Sequence, residues 1–175
     1  MVDRRTALAG GALLLAGCGS GTLRARVKKG AKVSPADIAI LNRLLEVEYY
    51  AIAAYTAGIP FLPHDQQKVA KQFVGQDVTH ASTLAGLIKQ GGGKAIRQQA
   101  SYDLGRPTAP GILNLLHRLE GKQVDAYIEL IPTLSAGRLR STAAAIMGND
   151  AQHLSVLRTE LGEPPVPSAL AGGRE

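Results

Sequence analysis

Asp77-Val78-Thr79-His80-Ala81-Ser82-Thr83-Leu84 and Asp150-Ala151-Gln152-His153-Leu154-Ser155-Val156-Leu157 share the pattern D-x-x-H-x-S-x-L. Residues three apart lie on one face of a helix, so each line presents an acid and an imidazole to the same side. Asp77 has Phe73, Val74 and Ala81 as face neighbours, and Asp150 has Ile146, Met147 and Leu154. Both acid–imidazole pairs therefore sit on apolar stripes, the face a helix turns to its core.

The similarity extends outward. Glu48 is followed by Tyr55 at +7, Asp77 at +29 and His80 at +32; Glu120 is followed by Tyr127 at +7, Asp150 at +30 and His153 at +33. Glu48 is flanked on its face by Leu44, Leu45, Ala51 and Ile52, and Glu120 by Leu116, His117 and Val124. Glu46 points about 160° away from Glu48, with Arg43 and Tyr50, which assigns it to the surface. Two hairpins of one design, docked about a two-fold axis, would bring Glu48, Asp77, His80, Glu120, Asp150 and His153 to the middle of a bundle.

The helices that carry these residues are delimited by their ends. Ser34-Pro35-Ala36-Asp37 reads as a start, with a cap, Pro at the first helical position and an acid three residues on. Apolar residues then recur with a 3.6-residue period from Ile38 to Tyr55, until Pro60 and Pro63. A second helix runs from about His64-Asp65 to Gly91-Gly92-Gly93, a third from about Thr108-Ala109-Pro110 to Pro132, and a fourth from about Ser135 to Gly162. No segment alternates with period two. The fold expected is all-α: a four-helix bundle of two antiparallel helical hairpins. Residues 92–108 join the pairs; extended, they reach ~56 Å, longer than a ~37 Å helix, which gives one long crossover.

Composition limits the chemistry. The chain has 175 residues, is 45% hydrophobic, and contains no Trp and a single Cys, which excludes a disulfide framework and any zinc site built on paired cysteines. The net charge of +6 belongs to residues 1–32, which carry seven Lys/Arg against Asp3; residues 33–175 hold 13 of each sign. The bundle thus lacks the basic excess of a nucleic-acid binder. No Ser/His/Asp or Cys/His nucleophile set can be assembled, and Gly91-Gly92-Gly93 has a helix stop's context, not a phosphate loop's.

Four inward acids need compensation, because burying isolated carboxylates costs several kcal/mol each. Two divalent cations would cancel the four charges, and oxygen with imidazole donors suits Fe, Mn or Zn. An acid from each of two helices plus acid-x-x-His from the other two is the di-iron or di-manganese carboxylate arrangement.

The first twenty residues read as an address. Arg4 and Arg5 precede the small apolar run Ala7–Ala16, which ends at Gly17-Cys18. This run is far short of the ~20 apolar residues that span a bilayer. Asp3-Arg4-Arg5-Thr6-Ala7-Leu8 resembles a twin-arginine (Tat) export signal, and Leu15-Ala16-Gly17-Cys18 resembles a lipobox with Cys18 as the lipidated residue. Residues 1–18 are then the signal, 19–33 a basic flexible tether, 34–162 the bundle and 163–175 a Pro-rich tail. Export anchored to the outer face of the bacterial cytoplasmic membrane follows, through the lipid and the basic tether.

From residue 36 to about 162 the chain resembles the ferritin-like superfamily, most closely exported members that include desiccation-related proteins. Leu44-Leu45-Glu46-Val47-Glu48-Tyr49-Tyr50-Ala51-Ile52-Ala53-Ala54-Tyr55 is similar to the first helix of bacterioferritins, with Glu48 at the ligand position. The resemblance implies metal ligation by Glu48, Asp77, His80, Glu120, Asp150 and His153, with Glu48 and Glu120 bridging a dinuclear Fe or Mn site. It implies oxidation of Fe(II), or reduction of O₂ or peroxide. Tyr55 and Tyr127 would be core aromatics touching the site, and His117, one turn before Glu120, an extra ligand or a support to one. A homodimer is compatible with this reading. A storage cage is not expected, since the Pro-rich tail cannot form a fifth helix. One departure stands out: both family E-x-x-H motifs are D-x-x-H here, which withdraws each carboxylate by about 1.5 Å. That leaves a tighter dinuclear site, one metal, or none. The alternative is a non-catalytic envelope bundle for desiccation or other stress protection, or for partner binding, with a degenerate site.

Overall fold

The computed structural model describes residues 33–105, 111–169 and 172. The expected export signal with Cys18 and the expected tether up to residue 32 lie outside the described residues. Four helices follow in order: α1 (Pro35–Gly58), α2 (His64–Gln90), α3 (Ile112–Leu130) and α4 (Gly137–Glu160). Among the described residues there is no strand. None of these helices is long and apolar enough to cross a membrane.

The internal repeat fixes the ends as well as the centres. After α1 comes the 3₁₀ turn Ile59–Phe61, and after α3 its counterpart Ile131–Thr133, each with Pro at its second position. The missing proline N–H breaks the α-helical ladder at the same offset in both hairpins. Helices α2 and α4 also stop alike. Gly92 and Gly162 adopt φ of 80° and 76°, and the residues after them return hydrogen bonds to Ile88 O and Arg158 O, both at 2.9 Å. Those bonds satisfy carbonyls that a helix end leaves orphaned.

Helix α1 begins with the capping box expected at Ser34 and Asp37. Asp37 has a further role: its buried carboxylate accepts from Ser135 N at 2.7 Å and Ser135 Oγ at 2.6 Å, tying the starts of α1 and α4 together. Burial alone would raise its pKa, but the bonds from Ser135 and Ser34 prevail and hold it at about 2. Val33, assigned to the tether on sequence, is a core residue. It packs so tightly on Gly91 that a Cβ there would lie 2.6 Å from the valine.

The crossover lies along α1 on a polar rail of one residue per turn. Asn42 bonds Lys94 O and Ile96 N, Glu46 accepts from Gln99, and the Tyr50 hydroxyl donates to Asp103 O. Glu46 is thus a clamp rather than a free surface acid. Helices pair tightly within each hairpin and α1 packs on α3, whereas α2 and α4 touch only lightly. The core forms two apolar clusters. One, around Leu44, Leu84 and Leu139, lies toward the end where the chain enters; the other, around Phe73, Ile112 and Leu116, lies toward the far end. The acidic residues occupy the layer between them.

Candidate metal centre

Glu48 of α1, Asp77 of α2, Glu120 of α3 and Asp150 of α4 are all fully buried, at 0% exposure. His80 and His153 lie one turn on from the two aspartates and are buried with them. The six side chains form two overlapping groups. Glu48, Asp77, His80 and Asp150 each offer a ligand atom within 4.8 Å of the others, and so do Asp77, Glu120 and His153. Each hairpin contributes to both groups, as docking about a two-fold axis requires.

The glutamates are held crosswise by the tyrosines seven residues behind their counterparts. Tyr55 donates to Glu120 Oε1 and Tyr127 donates to Glu48 Oε1, each at 2.5 Å. Burial, then the adjacent glutamate, raises both phenols well above their usual range, so they remain O–H donors. Two amides complete the shell. Gln123 Nε2 donates to Glu48 Oε2 at 3.3 Å, and His153 Nε2–H donates to Gln76 Oε1 at 2.7 Å. With its proton on Nε2, His153 turns a lone pair on Nδ1 toward Glu120 Oε1, 3.2 Å away. Two lone pairs face one another there unless a proton or a cation lies between them.

The electrostatics express the same conflict. Like charges within 4.8 Å repel by about 3–4 kcal/mol per pair at an effective dielectric constant near 20. Burial foremost, then the neighbouring acids, raises Asp77 to about 10 and Glu120 well above the carboxylate range. Glu48 is raised too, by burial first, against contacts from His80 and Tyr127 that lower it. His80 Nδ1 stands 3.3 Å from Asp150 Oδ1 and 3.5 Å from Glu48 Oε2. Burial disfavours its charge, yet these two acids outweigh burial and raise it to about 10. Metal-free, the centre thus keeps protons where cations would otherwise sit.

Whether these residues fit a metal can be tested on their hydrogen bonds. Both oxygens of Asp77, both of Asp150, Glu120 Oε2 and His80 Nδ1 are buried without a protein hydrogen-bond partner. Buried polar atoms are almost always paired; His80 Nδ1 and Asp150 Oδ1 face each other at 3.3 Å, so the two Asp77 oxygens, Asp150 Oδ2 and Glu120 Oε2 are the atoms that mark a site built for a charged guest. Carboxylate oxygens and imidazole nitrogens are the donors that Fe, Mn and Zn accept. The residues fit.

A family model for the ferritin-like domain matches residues 36–163. The chain belongs to the ferritin-like family. Among solved structures, a conserved hypothetical protein, rv2844, from Mycobacterium tuberculosis aligns with a TM-score of 0.69 at 20% identity. The alignment covers 78% of this ferritin-like chain and 97% of that one, a likeness of fold. Curated proteins provide no match.

Two expectations need correction. Glu48 and Glu120, expected to share the site, fall in separate groups, and the side chain common to both groups is Asp77. His117 is in neither group. Helical side chains tilt toward the N-terminus, so a residue before Glu120 leans away from the site, whereas His80 and His153, after their aspartates, lean into it. Half-buried His117 instead feels Arg158 and Glu163; burial first, then Arg158, lowers its pKa. Sequence reasoning missed Gln76, Gln123 and Phe73. Gln123 carried a signal, being a polar residue one turn after Glu120 on the same face. Gln76 and Phe73 carried none, because both act on a histidine of another helix.

Proposed function

We propose that the bundle holds a dinuclear Fe or Mn centre that oxidises Fe(II) or reduces O₂ or peroxide, on a lipoprotein anchored at the outer face of the bacterial cytoplasmic membrane. The observation that carries the metal reading is Asp77, which belongs to both ligand groups and has no protein hydrogen-bond partner for either oxygen. Bound metal would supply one-electron transfers to the oxidant. The protein's part is positioning. Glu48, His80 and Asp150 would hold one ion and Glu120 with His153 the other, with Asp77 in reach of both. Tyr55 and Tyr127 fix the glutamates through one oxygen each, which leaves Glu120 Oε2 without a partner and Glu48 Oε2 with only a 3.3 Å bond from Gln123. Gln76 locks the tautomer that presents His153 Nδ1 inward. Cys18 and the basic residues before Val33 support the anchored reading, and export of folded protein by the twin-arginine route would suit a centre loaded beforehand.

The test is metal content and turnover together. Purified protein loaded anaerobically with Fe(II) is expected to retain about two metals per chain and then to oxidise Fe(II) on admission of air. Retention below ~0.3 metal per chain after Fe or Mn loading would instead favour the non-catalytic envelope bundle for stress protection or partner binding.

A further inference from the structure

Charge on the folded bundle is not spread evenly. At the end where the chain enters, Lys89, Lys94, Arg97, Arg138 and Arg140 are all exposed. The first three line one open groove between the end of α2 and the crossover. The other two stand in the first turn of α4, whose start is tied to that of α1 through Asp37. Among the described residues, these five cations and Arg43 outnumber the acids of this end, Asp37, Glu46, Asp125 and Glu129, six to four. Asp37 is buried and spent on Ser34 and Ser135, Glu129 pairs with Arg43 at 3.4 Å, and Glu46 holds Gln99. At the far end Lys68, Lys71 and Arg118 are exposed too, among Asp65, Glu160 and the Arg158–Glu163 pair at 3.6 Å. In sequence, the residues before Val33 add Arg24, Arg26, Lys28, Lys29 and Lys32.

We propose that this end of the bundle is a docking face for an anionic phospholipid surface. Each Lys or Arg held near such a surface contributes about fivefold to binding, and the attraction fades within a Debye length. Five exposed cations around one end, with the chain entering at Val33 among them, therefore favour a bundle standing with that end on the lipid. The inference rests on the envelope placement proposed above and is independent of metal. It goes beyond a tether, because it assigns lipid contact to the folded domain and orients it.

The experiment is co-sedimentation of the full chain carrying Cys18→Ser, which removes lipid attachment, with vesicles of phosphatidylglycerol and phosphatidylcholine or of phosphatidylcholine alone. Binding to the anionic vesicles alone, weakening steeply between roughly 50 and 300 mM salt, is expected. Combining Lys89→Glu, Lys94→Glu and Arg97→Glu should weaken it about tenfold or more, whereas Lys68→Glu with Lys71→Glu at the far end should change it less than twofold. Circular dichroism confirms that each variant is folded. Equal binding of the triple variant and its parent would overturn the docking face, as would equal binding to both vesicle types. Failure of the envelope placement reads out separately, as absence of lipid on Cys18 in cell-derived protein.

Discussion

The two hairpins carry the same D-x-x-H-x-S-x-L line and end their second helices in the same glycine motif, yet their histidines are in opposite states. His80 faces Asp150 and Glu48 and is raised to about 10. His153 is lowered to about 4 by burial first, with the charge of His80 acting in the same direction against the pull of Asp150 and Glu48. The difference lies in the flanks. Phe73 stacks on the His153 ring at 4.0 Å and Gln76 holds its Nε2; the corresponding residues of the other hairpin are Ile146 and Asn149. His80 keeps a trace of exposure, 8% against 1% for His153. A repeated acid–imidazole motif is thus differentiated by its neighbours: burial lowers one histidine, and two facing acids raise the other.

Breaking the shared residue should have the largest effect. Asp77→Ala removes a ligand from both groups and is expected to reduce bound metal from about two per chain to near none, while Asp150→Ala, which touches one group, leaves about one. Mass spectrometry of metal content after desalting distinguishes them. Equal losses would mean that the halves share their ligands evenly.

Removing the seal comes next. Phe73→Ala should cost about 3–5 kcal/mol in urea unfolding at pH 7. It should also let the His153 pKa climb from about 4 toward its ordinary value, as followed by NMR titration. Ile146→Ala at the matching place should cost about 2–5 kcal/mol and leave His153 unmoved.

The opposed shifts predict an asymmetric pH profile for chelated protein. Asp77 and His80 are raised in the fold, so the stability they contribute is fully present below their unfolded values, 3.8 and 6.5, and is lost as pH rises through about 10. His153 is lowered, so its contribution is present above 6.5 and lost as pH falls through about 4. Denaturation midpoints should therefore fall steadily from about pH 6.5 to 10 and vary less between 6.5 and 4, where His153 opposes Asp77. Phe73→Ala should lessen that opposition on the acid side.

The smallest expected effect concerns the helix starts. Helix α1 has a side-chain cap and α4, whose N-cap residue is Ala136, has none. Ser34→Ala should cost ~1 kcal/mol of stability, with metal content unchanged.

The four helices and their six inward groups were legible because two signals coincide: apolar residues at a 3.6-residue period, and charge on the stripe where charge is costly. The glycine and proline stops added the ends. That Asp77 falls in both groups was not legible, because position along the axis depends on the stagger of α2 against α4, which no spacing within one helix encodes. The Asp37–Ser135 tie and the Glu46 clamp escaped for the same reason. His117 misled because spacing gives the face of a residue but not the direction of its tilt.

The central claim is that cations hold four carboxylates in a dry interior, and thermal unfolding with and without Mn(II) tests it most directly. Adding Mn(II) to chelated protein should raise the melting temperature clearly at pH 7 and much less at pH 5, where protons replace metal on the raised acids. No increase at either pH, or the same increase at both, would contradict the account.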